Sequence, residues 1–238
     1  MLSAARARYA STVALLRASA EESFEVLLTR RPRQMRFMGG FYVFPGGTVH
    51  KEDYSAKVVK RCRGLSTTKA QEILGNCLDP EVSLGHWVAA IRELFEEVGV
   101  LLGEMDSGAE LDPSGTEARE RFERGRRAMV ENTLDFGTLL DSEDLYCDLS
   151  RLVYCYHRVT PEIYPIRFDT RFYIAALPPG QVPLHHSEEV AESLWITPGE
   201  ALERTYNDGF PLLPPTSTVL EDLAKIHSWE QLTARYRL

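Results

Sequence analysis

The sequence predicts an α+β fold in which helices layer against a β-sheet, as in an α/β/α sandwich. Two apolar, β-branched runs near the start, residues 10–18 and 24–30, are typical of strands. Apolar residues recur at helical spacing after His86, which indicates an amphipathic helix. Strands and helices then interleave without a regular β-α alternation, which disfavours a doubly wound parallel sheet.

The first two strands are expected to form a hairpin, because only the short polar stretch 21–23 separates them. A third strand is expected over residues 41–44. It should stop at Pro45-Gly46-Gly47, since proline cannot donate a hydrogen bond to a neighbouring strand and glycine permits a sharp turn.

Two helices are expected next. The first is short, covers residues 67–74 and breaks at Gly75-Asn76. The second begins near His86 and ends near Gly99, a residue type that commonly follows a helix. The residues whose three- and four-residue spacing defines its apolar face are Val88, Ile91, Phe95 and Val98.

The second half of the chain predicts a helix, two strands and two more helices. The charged stretch 108–132 indicates a loop and a solvated helix without chemistry of its own. Residues 171–177 and 192–196 are typical of strands and residues 198–206 of a helix. A helical C-terminal extension, residues 212–238, is expected to contain a final helix with Thr216 or Ser217 as its N-cap.

Length and composition predict one globular domain, residues 1–238. The chain has 238 residues, 44% hydrophobic and 26% charged, as in ordinary globular proteins. A net charge of -8 argues against nucleic acid as a partner, because that binding depends on lysine and arginine neutralising phosphates. No run of eighteen apolar residues occurs, so no membrane partner is expected.

Cysteines and chain ends predict a cytoplasmic protein with reduced thiols. The four cysteines, at positions 62, 77, 147 and 155, have neither zinc spacing nor the pattern of a disulfide framework. Residues 1–11 have the composition of a mitochondrial presequence, but they lead directly into the first strand. The final Tyr236-Arg237-Leu238 lacks the small first residue of a peroxisomal signal.

Three carboxylates on the main helix predict a metal site. Glu93, Glu96 and Glu97 are three and four residues apart, so they gather on one side of the helix. Like charges at this spacing repel one another, and a divalent cation such as Mg²⁺ or Mn²⁺ would offset the repulsion. A solvated glutamate-rich helix face is the alternative.

The stretch from Arg92 to Val100 resembles the second half of the Nudix box, R-E-U-x-E-E-x-G-U with U aliphatic. The full box begins G-x5-E-x7 before the arginine. Here Asp53 occupies the position of the motif's glutamate, since residues 48–52 separate it from Gly47. Residues 54–91 then separate Asp53 from Arg92. We interpret this departure as an insertion inside the box, at about residues 54–84, of the kind known in one branch of the family.

The resemblance implies a Nudix fold, with a mixed sheet between helices, and a Mg²⁺- or Mn²⁺-dependent diphosphohydrolase. It implies that Glu96 and Glu97 bind metal, that Glu93 binds metal or helps to activate water, and that Arg92 orients the glutamates. The carbonyl of Gly46 or Gly47 would complete the coordination. Because of the insertion, Gly47 and Glu96 must be near neighbours in space.

A second stretch, Leu27 to Gly47, resembles the coenzyme A diphosphatase motif L-L-T-x-R-[SA]-x3-R-x3-G-x3-F-P-G-G. Ten of its positions are in register, and Pro32 departs from the usual serine or alanine. Arg31 and Arg36 are therefore candidate substrate-binding residues, since guanidinium groups pair with phosphate oxygens. A basic surface loop in a hairpin connection is the alternative.

Two later stretches resemble acyl-CoA diphosphatases and Nudix proteins in general. Arg167, Asp169 and Arg171 alternate along an extended segment and share one face, either lining the substrate pocket or forming a salt-bridged strand edge. The segment 188–202 resembles the late strand and helix of many Nudix proteins, in which an acidic residue before the tryptophan approaches the metals. This resemblance implies Glu189 as the candidate catalytic residue, with Glu192 as the second candidate.

The expected substrate is coenzyme A or an acyl-CoA, split into adenosine 3′,5′-bisphosphate and (acyl-)phosphopantetheine. ADP-ribose, NADH or a nucleoside polyphosphate is the alternative substrate, because fold does not determine substrate. A non-catalytic, nucleotide-sensing Nudix-like domain is the alternative outside enzymes. The insertion could act as a lid or as the contact of a homodimer.

Overall fold

The computed structural model describes residues 5–19, 23–35, 38–109, 111, 115–187 and 190–238. Within these ranges two β-sheets form. The strands of the larger sheet are β1 (Arg8–Ala18), β2 (Phe24–Arg30), β3 (Tyr42–Val43), β4 (Gly46–Thr48), β8 (Val153–Val159), β9 (Phe168–Ala176) and β10 (Glu192–Ile196). Those of the smaller sheet are β5 (Cys62–Arg63), β6 (Gly103–Met105) and β7 (Leu145–Asp148).

The helices of the described ranges are mostly short. They are α1 (Ala56–Val59), α2 (Thr67–Ile73), α3 (Pro80–Val98), α4 (Thr116–Val130), α5 (Phe136–Ser142), α6 (Pro198–Asn207), α7 (Pro214–Leu223) and α8 (Trp229–Tyr236). Two 3₁₀ helices cover Lys51–Tyr54 and Leu149–Arg151. None of the described helices is long and apolar enough to cross a membrane.

The larger sheet is mixed and has helices on both faces. β1 pairs in parallel with β9 and antiparallel with β2 and β4, while β8 pairs antiparallel with β9. Leu15 of β1 packs in one cluster with α3, and Leu16 packs in a second cluster with α7. Successive residues of a strand point to opposite faces, so β1 is buried on both sides. The α+β fold with a helix–sheet–helix arrangement is confirmed.

Most predicted elements form. The hairpin of β1 and β2 pairs Leu16 with Val26, as expected. The third strand, β3, ends before Pro45 as predicted, and Gly46–Thr48 then forms a separate short strand, β4, against residues 10–12 of β1. The predicted N-cap of the last-but-one helix was wrong. Leu213 caps α7 and Pro214 begins it, because proline suits the first helical position and needs no donor there.

Helix α3 is longer than predicted. It begins at Pro80, with Asp79 as N-cap, rather than near His86. The apolar periodicity did not reveal this first part of the helix, because Gly85 interrupts the pattern. Glycine is required at this position because α3 passes close to Tyr54. A Cβ at Gly85 would lie 2.8 Å from Cδ1 of Tyr54. The segment predicted as an insertion therefore contains α1, β5, α2 and the first turn of α3.

Candidate active site

A cavity of about 970 Å³ opens where β4 meets α3. Its lining includes the glycine pair and the charged residues of α3 that the sequence singled out. They are Gly46, Gly47, Arg92, Glu93, Glu96 and Glu97. The chain therefore brings these six residues together although residues 48–91 separate the two groups in sequence.

The glycine pair lies directly against the carboxylates. Gly46 has φ +154°, and a Cβ there would lie 2.6 Å from the Cα of Thr12, so only glycine fits. A Cβ at Gly47 would lie 2.5 Å from the carboxyl carbon of Glu93. The amide of Gly46 donates to Oε2 of Glu97 at 3.2 Å. Gly47 and Glu96 were predicted to be neighbours; both line the cavity, and the close approach of Gly47 is to Glu93.

Thr12 of β1 holds the turn that precedes the glycines. Its hydroxyl donates to the carbonyls of Pro45 at 2.7 Å and of Phe44 at 3.0 Å. Val13 also donates its amide to the Pro45 carbonyl, at 2.9 Å. Since the side chain of Thr12 is 8% exposed, these bonds are protected from water and fix the approach of β4 to the helix.

Arg92 is the centre of a buried ion-pair network. Its Nη1 donates to Glu93 and to Glu96, each at 2.9 Å, and its Nη2 donates to the Thr48 carbonyl at 2.8 Å. Its Nε and Nη2 donate to the two carboxylate oxygens of Asp53, at 2.7 and 3.0 Å. Arg92 therefore connects the β4 backbone to the helix glutamates.

Asp53 thus stands where it can replace the glutamate usual in the motif. It is 1% exposed and lies in the 3₁₀ helix that follows β4. It also accepts a hydrogen bond from the amide of His50, at 2.7 Å. The departure from the motif is therefore compatible with an intact network, because aspartate reaches Arg92 with both oxygens.

Burial alters the acidity of this network. It raises the pKa of Glu93 to about 7; the charge of Arg92 opposes the rise, and the charges of Glu96 and Asp53 add to it. Burial by itself would lower the pKa of Arg92, but the charges of Glu93, Asp53 and Glu96 outweigh it, and the pKa is raised above its ordinary value. Arg92 therefore stays charged, whereas Glu93 is poised to change its protonation near neutral pH.

The donor chemistry of the site fits a hard divalent cation. The candidate donors are carboxylate oxygens and a glycine carbonyl, which Mg²⁺ and Mn²⁺ prefer. The close approach of Gly47 to Glu93 brings backbone and carboxylate oxygens together. Among the described side chains, no three that could bind a metal already form a ligand cluster, and Arg92 engages an oxygen of both Glu93 and Glu96.

The remaining predicted residues fall into three groups. Arg31 lines the cavity. Arg36 and Glu189 lie outside the described residues. Arg167 and Arg171 do not line the cavity: Arg171 is 2% exposed and pairs with Asp169, and Arg167 donates to the carbonyls of Thr160 and Ala5.

The placement of Arg167 and Arg171 corrects the expectation that they line the substrate pocket. Arg171 lies on β9 and Arg167 immediately precedes this strand, and both alternate in sequence with the residues that line the cavity. Phe168, Thr170 and Phe172 line the cavity instead. The alternative prediction, a salt-bridged strand, fits these residues better. Asp169 forms an ion pair with Arg171, and its Oδ1 lies 2.6 Å from Nε2 of His157.

Sequence reasoning missed two parts of the lining. Helix α4 was expected to be solvated and without a role, yet its end and the turn into α5 supply an apolar wall. With two methionines after β2, that wall comprises Met35, Met38, Met129, Leu134 and Phe136. Arg8 and Arg158, on β1 and β8, were also missed. The apolar positions among the charges of α4, Phe122 and Met129, are the signal that the helix has a buried side.

The comparisons with known sequences agree on one family. The model of the NUDT19 Nudix domain matches residues 1–223. An acyl-coenzyme A diphosphatase NUDT19 of Gallus gallus is 30% identical over 227 residues, covering 81% of this chain and 59% of that protein. A putative nudix hydrolase 7 of Caenorhabditis elegans is 26% identical over 208 residues, covering 86% and 57%. The chain thus spans less than two thirds of these relatives.

Comparison with solved structures supports the same fold. The crystal structure of a NUDIX hydrolase from Alicyclobacillus acidocaldarius superposes with a TM-score of 0.75. It is 29% identical in sequence, and the match covers 96% of each chain. The agreement therefore extends over nearly the whole chain.

Proposed function

Because the chain belongs to the Nudix family, in the branch of the NUDT19 Nudix domain, we propose that it is a metal-dependent diphosphohydrolase of coenzyme A or acyl-CoA. The reaction yields adenosine 3′,5′-bisphosphate and (acyl-)phosphopantetheine. One observation carries the proposal. Glu93 and Glu97 of the R-E-x-x-E-E segment lie against Gly47 and Gly46, and Glu96 lines the same cavity.

The chain's own residues have distinct roles in this proposal. Glu96, Glu97 and a carbonyl of the glycine pair hold Mg²⁺ or Mn²⁺. When bound, such an ion neutralises charge on the phosphoryl oxygens and makes a water more nucleophilic. Glu93 binds metal or takes the proton of the attacking water, for which a pKa near 7 is suited. Arg92 orients the glutamates through the bonds described above.

Two features favour a CoA-type substrate. Arg31 belongs to the Leu27–Gly47 motif and lines the cavity, where its guanidinium can pair with a phosphate oxygen. The methionine-rich wall offers an apolar surface to the pantetheine arm and to an acyl chain, since methionine adapts to flexible ligands. The cavity volume is also in the range of ligand sites.

A substrate panel tests the proposal. The purified protein is incubated with Mg²⁺ or Mn²⁺ and with CoA, acyl-CoAs, ADP-ribose, NADH and dinucleoside polyphosphates, and products are identified by mass spectrometry. We expect CoA species to have the highest kcat/KM and to give the bisphosphate. A preference for ADP-ribose, NADH or a dinucleotide would contradict the substrate assignment, and binding without hydrolysis would favour a sensing domain.

The other expectations remain part of the proposal. Glu189 keeps its predicted role as the acidic residue that approaches the metals, and Arg36 keeps its role in substrate binding. A single domain over residues 1–238, a homodimer and a cytoplasmic location likewise stay predictions. The pairing of Asp53 with Arg92 argues for catalysis over sensing, because Arg92 still bonds to the glutamates although aspartate replaces the usual glutamate of the motif.

A further inference from the structure

Two arginines that line the cavity have no carboxylate partner within the part of the chain that the structure describes. Among the described residues, Arg8 and Arg158 make no ion pair, although both line the cavity and are exposed to it. The neighbouring Arg167 and Arg171, on the far side of the same strands, are both paired with acidic side chains. Within the described part of a chain of net charge -8, two cations that line this cavity are therefore without an acidic partner.

The strand register places these arginines together on one face. Arg158 of β8 is paired with Thr170 of β9, Thr170 with Ala10 of β1, and Ala10 with Thr48 of β4. All four residues line the cavity. Arg8 lies two residues before Ala10 on the same side of β1, so its side chain and that of Arg158 rise from one surface.

The same register separates the arginines from the glutamates. Thr48, whose carbonyl binds Arg92, is three strand positions from Arg158, about 14 Å at the usual spacing of strands. An anion bound by Arg158 therefore occupies a different position from one bound beside the glutamates of α3. A ligand that occupies both must carry two separated phosphate groups.

The surroundings of the arginines suit the nucleoside end of a ligand. The guanidinium of Arg8 packs over the ring of Phe168, 4.9 Å from its centre, which fixes its direction. Thr170 lies between the two arginines, and its hydroxyl makes no hydrogen bond within the described residues. The aromatic ring of Tyr164, which is 41% exposed, also lines the cavity and can stack with a base.

We propose that Arg8, Arg158 and the Thr170 hydroxyl form an anion subsite for a phosphomonoester on the ribose of the substrate. The subsite rests on the proposed function, since it assumes that the diphosphate occupies the glutamate site. Paired guanidinium groups recognise a phosphate dianion by charge-assisted bonds. The subsite thereby distinguishes ribose-phosphorylated nucleotides from those with a free ribose.

Equilibrium binding without metal tests the subsite. Affinities for adenosine 3′,5′-bisphosphate, adenosine 2′,5′-bisphosphate and AMP are measured by calorimetry in EDTA, so that no metal contributes. We expect the 3′,5′-bisphosphate to bind at least about tenfold more tightly than AMP. Arg8→Gln and Arg158→Gln should each reduce this advantage, and the double variant should abolish it.

A matched variant controls for the loss of charge. Arg119→Gln removes an exposed arginine of α4 that is not part of the cavity lining and should leave the advantage intact. Thermal melting verifies that each variant folds. The subsite is contradicted if AMP binds as tightly as the bisphosphate, or if the advantage survives the double variant. A preference for the 2′,5′ isomer would support the subsite while contradicting CoA as the substrate.

Kinetics separate this inference from the proposed function. We expect Arg158→Gln to lower kcat/KM for CoA about tenfold or more and to leave dephospho-CoA, which lacks the 3′-phosphate, unchanged. If CoA is hydrolysed but the variant slows both substrates equally, the subsite is wrong and the function stands. If neither is hydrolysed but the bisphosphate advantage persists, the function is wrong and the subsite stands.

Discussion

The replacement Asp53→Asn probes the network that holds the glutamates. Asp53 is 1% exposed and accepts two hydrogen bonds from Arg92, at 2.7 and 3.0 Å. Asparagine has nearly the same shape but only one acceptor oxygen and no charge. The change therefore leaves a buried guanidinium with one fewer counter-charge, in a place that water does not reach.

The expected cost follows from these contacts. Removing one partner of a buried ion pair typically destabilises a protein by about 3 to 5 kcal/mol. Asparagine can keep one of the two hydrogen bonds, so we expect about 2 to 4 kcal/mol. The freed Arg92 should also hold Glu93 and Glu96 more closely, which would weaken Mg²⁺ binding.

Urea unfolding at pH 7.5 and Mg²⁺ titration measure the two effects. The control is Glu52→Gln, which removes an exposed charge from the adjacent residue and should cost less than about 0.5 kcal/mol. If Asp53→Asn were no more destabilising than Glu52→Gln, or if it bound Mg²⁺ as tightly as the unaltered protein, the structural role of the network would be refuted.

Three further predictions test the site and the stability of the fold. Gly47→Ala should abolish metal-dependent hydrolysis, because its Cβ would lie 2.5 Å from the Glu93 carboxyl, whereas Gly199→Ala, with open space around it, should be active. Mg²⁺ binding at pH 6 should release close to one proton from Glu93, whose pKa is raised to about 7 chiefly by burial, and little at pH 8. Calorimetry in two buffers of different ionisation enthalpy measures this release, and equal release at both pH values would contradict the role of Glu93. Burial, aided by the charge of Arg171, lowers the pKa of His86 to about 3, so the unfolded chain binds the extra proton and stability should fall by about 2 kcal/mol between pH 7 and pH 5. His86→Gln should reduce that slope and the exposed His227→Gln should not; equal slopes in both would contradict the assignment.

The parts of the site that local spacing determines could be predicted from the sequence. Arg92, Glu93, Glu96 and Glu97 belong to one helix, and helical geometry alone brings them near one another. The motif then identified the glycine pair as their partner. The hairpin of β1 and β2 was also local, because a short polar segment joins two apolar strands.

The parts that depend on strand pairing could not be predicted. β4 consists of Gly46, Gly47 and Thr48, and such a segment becomes a strand only because residues 10–12 pair with it. Strands β5 and β6 are two and three residues long, too short for any periodicity. Their positions follow from tertiary pairing, which outweighs intrinsic preference in short strands.

The sequence also did not predict which face of a strand meets the cavity. Alternation indicates which residues of a segment share a side, but it does not say which side meets the cavity. The cavity face proved to be that of Phe168 and Thr170. Arg158 was missed for the same reason, because its approach to the site depends on the register of β8 with β9.

The most direct measurement of the central claim is the Mg²⁺-dependent hydrolysis of CoA by Glu97→Gln, with Glu52→Gln as the control. Glu97 accepts a hydrogen bond from the Gly46 amide and is a proposed metal ligand, whereas Glu52 is an exposed residue of the same lining with no proposed role. We predict that Glu97→Gln loses at least about a hundredfold in kcat while Glu52→Gln keeps its activity. Full activity of Glu97→Gln, or undiminished hydrolysis by the unaltered protein in EDTA, would contradict the account.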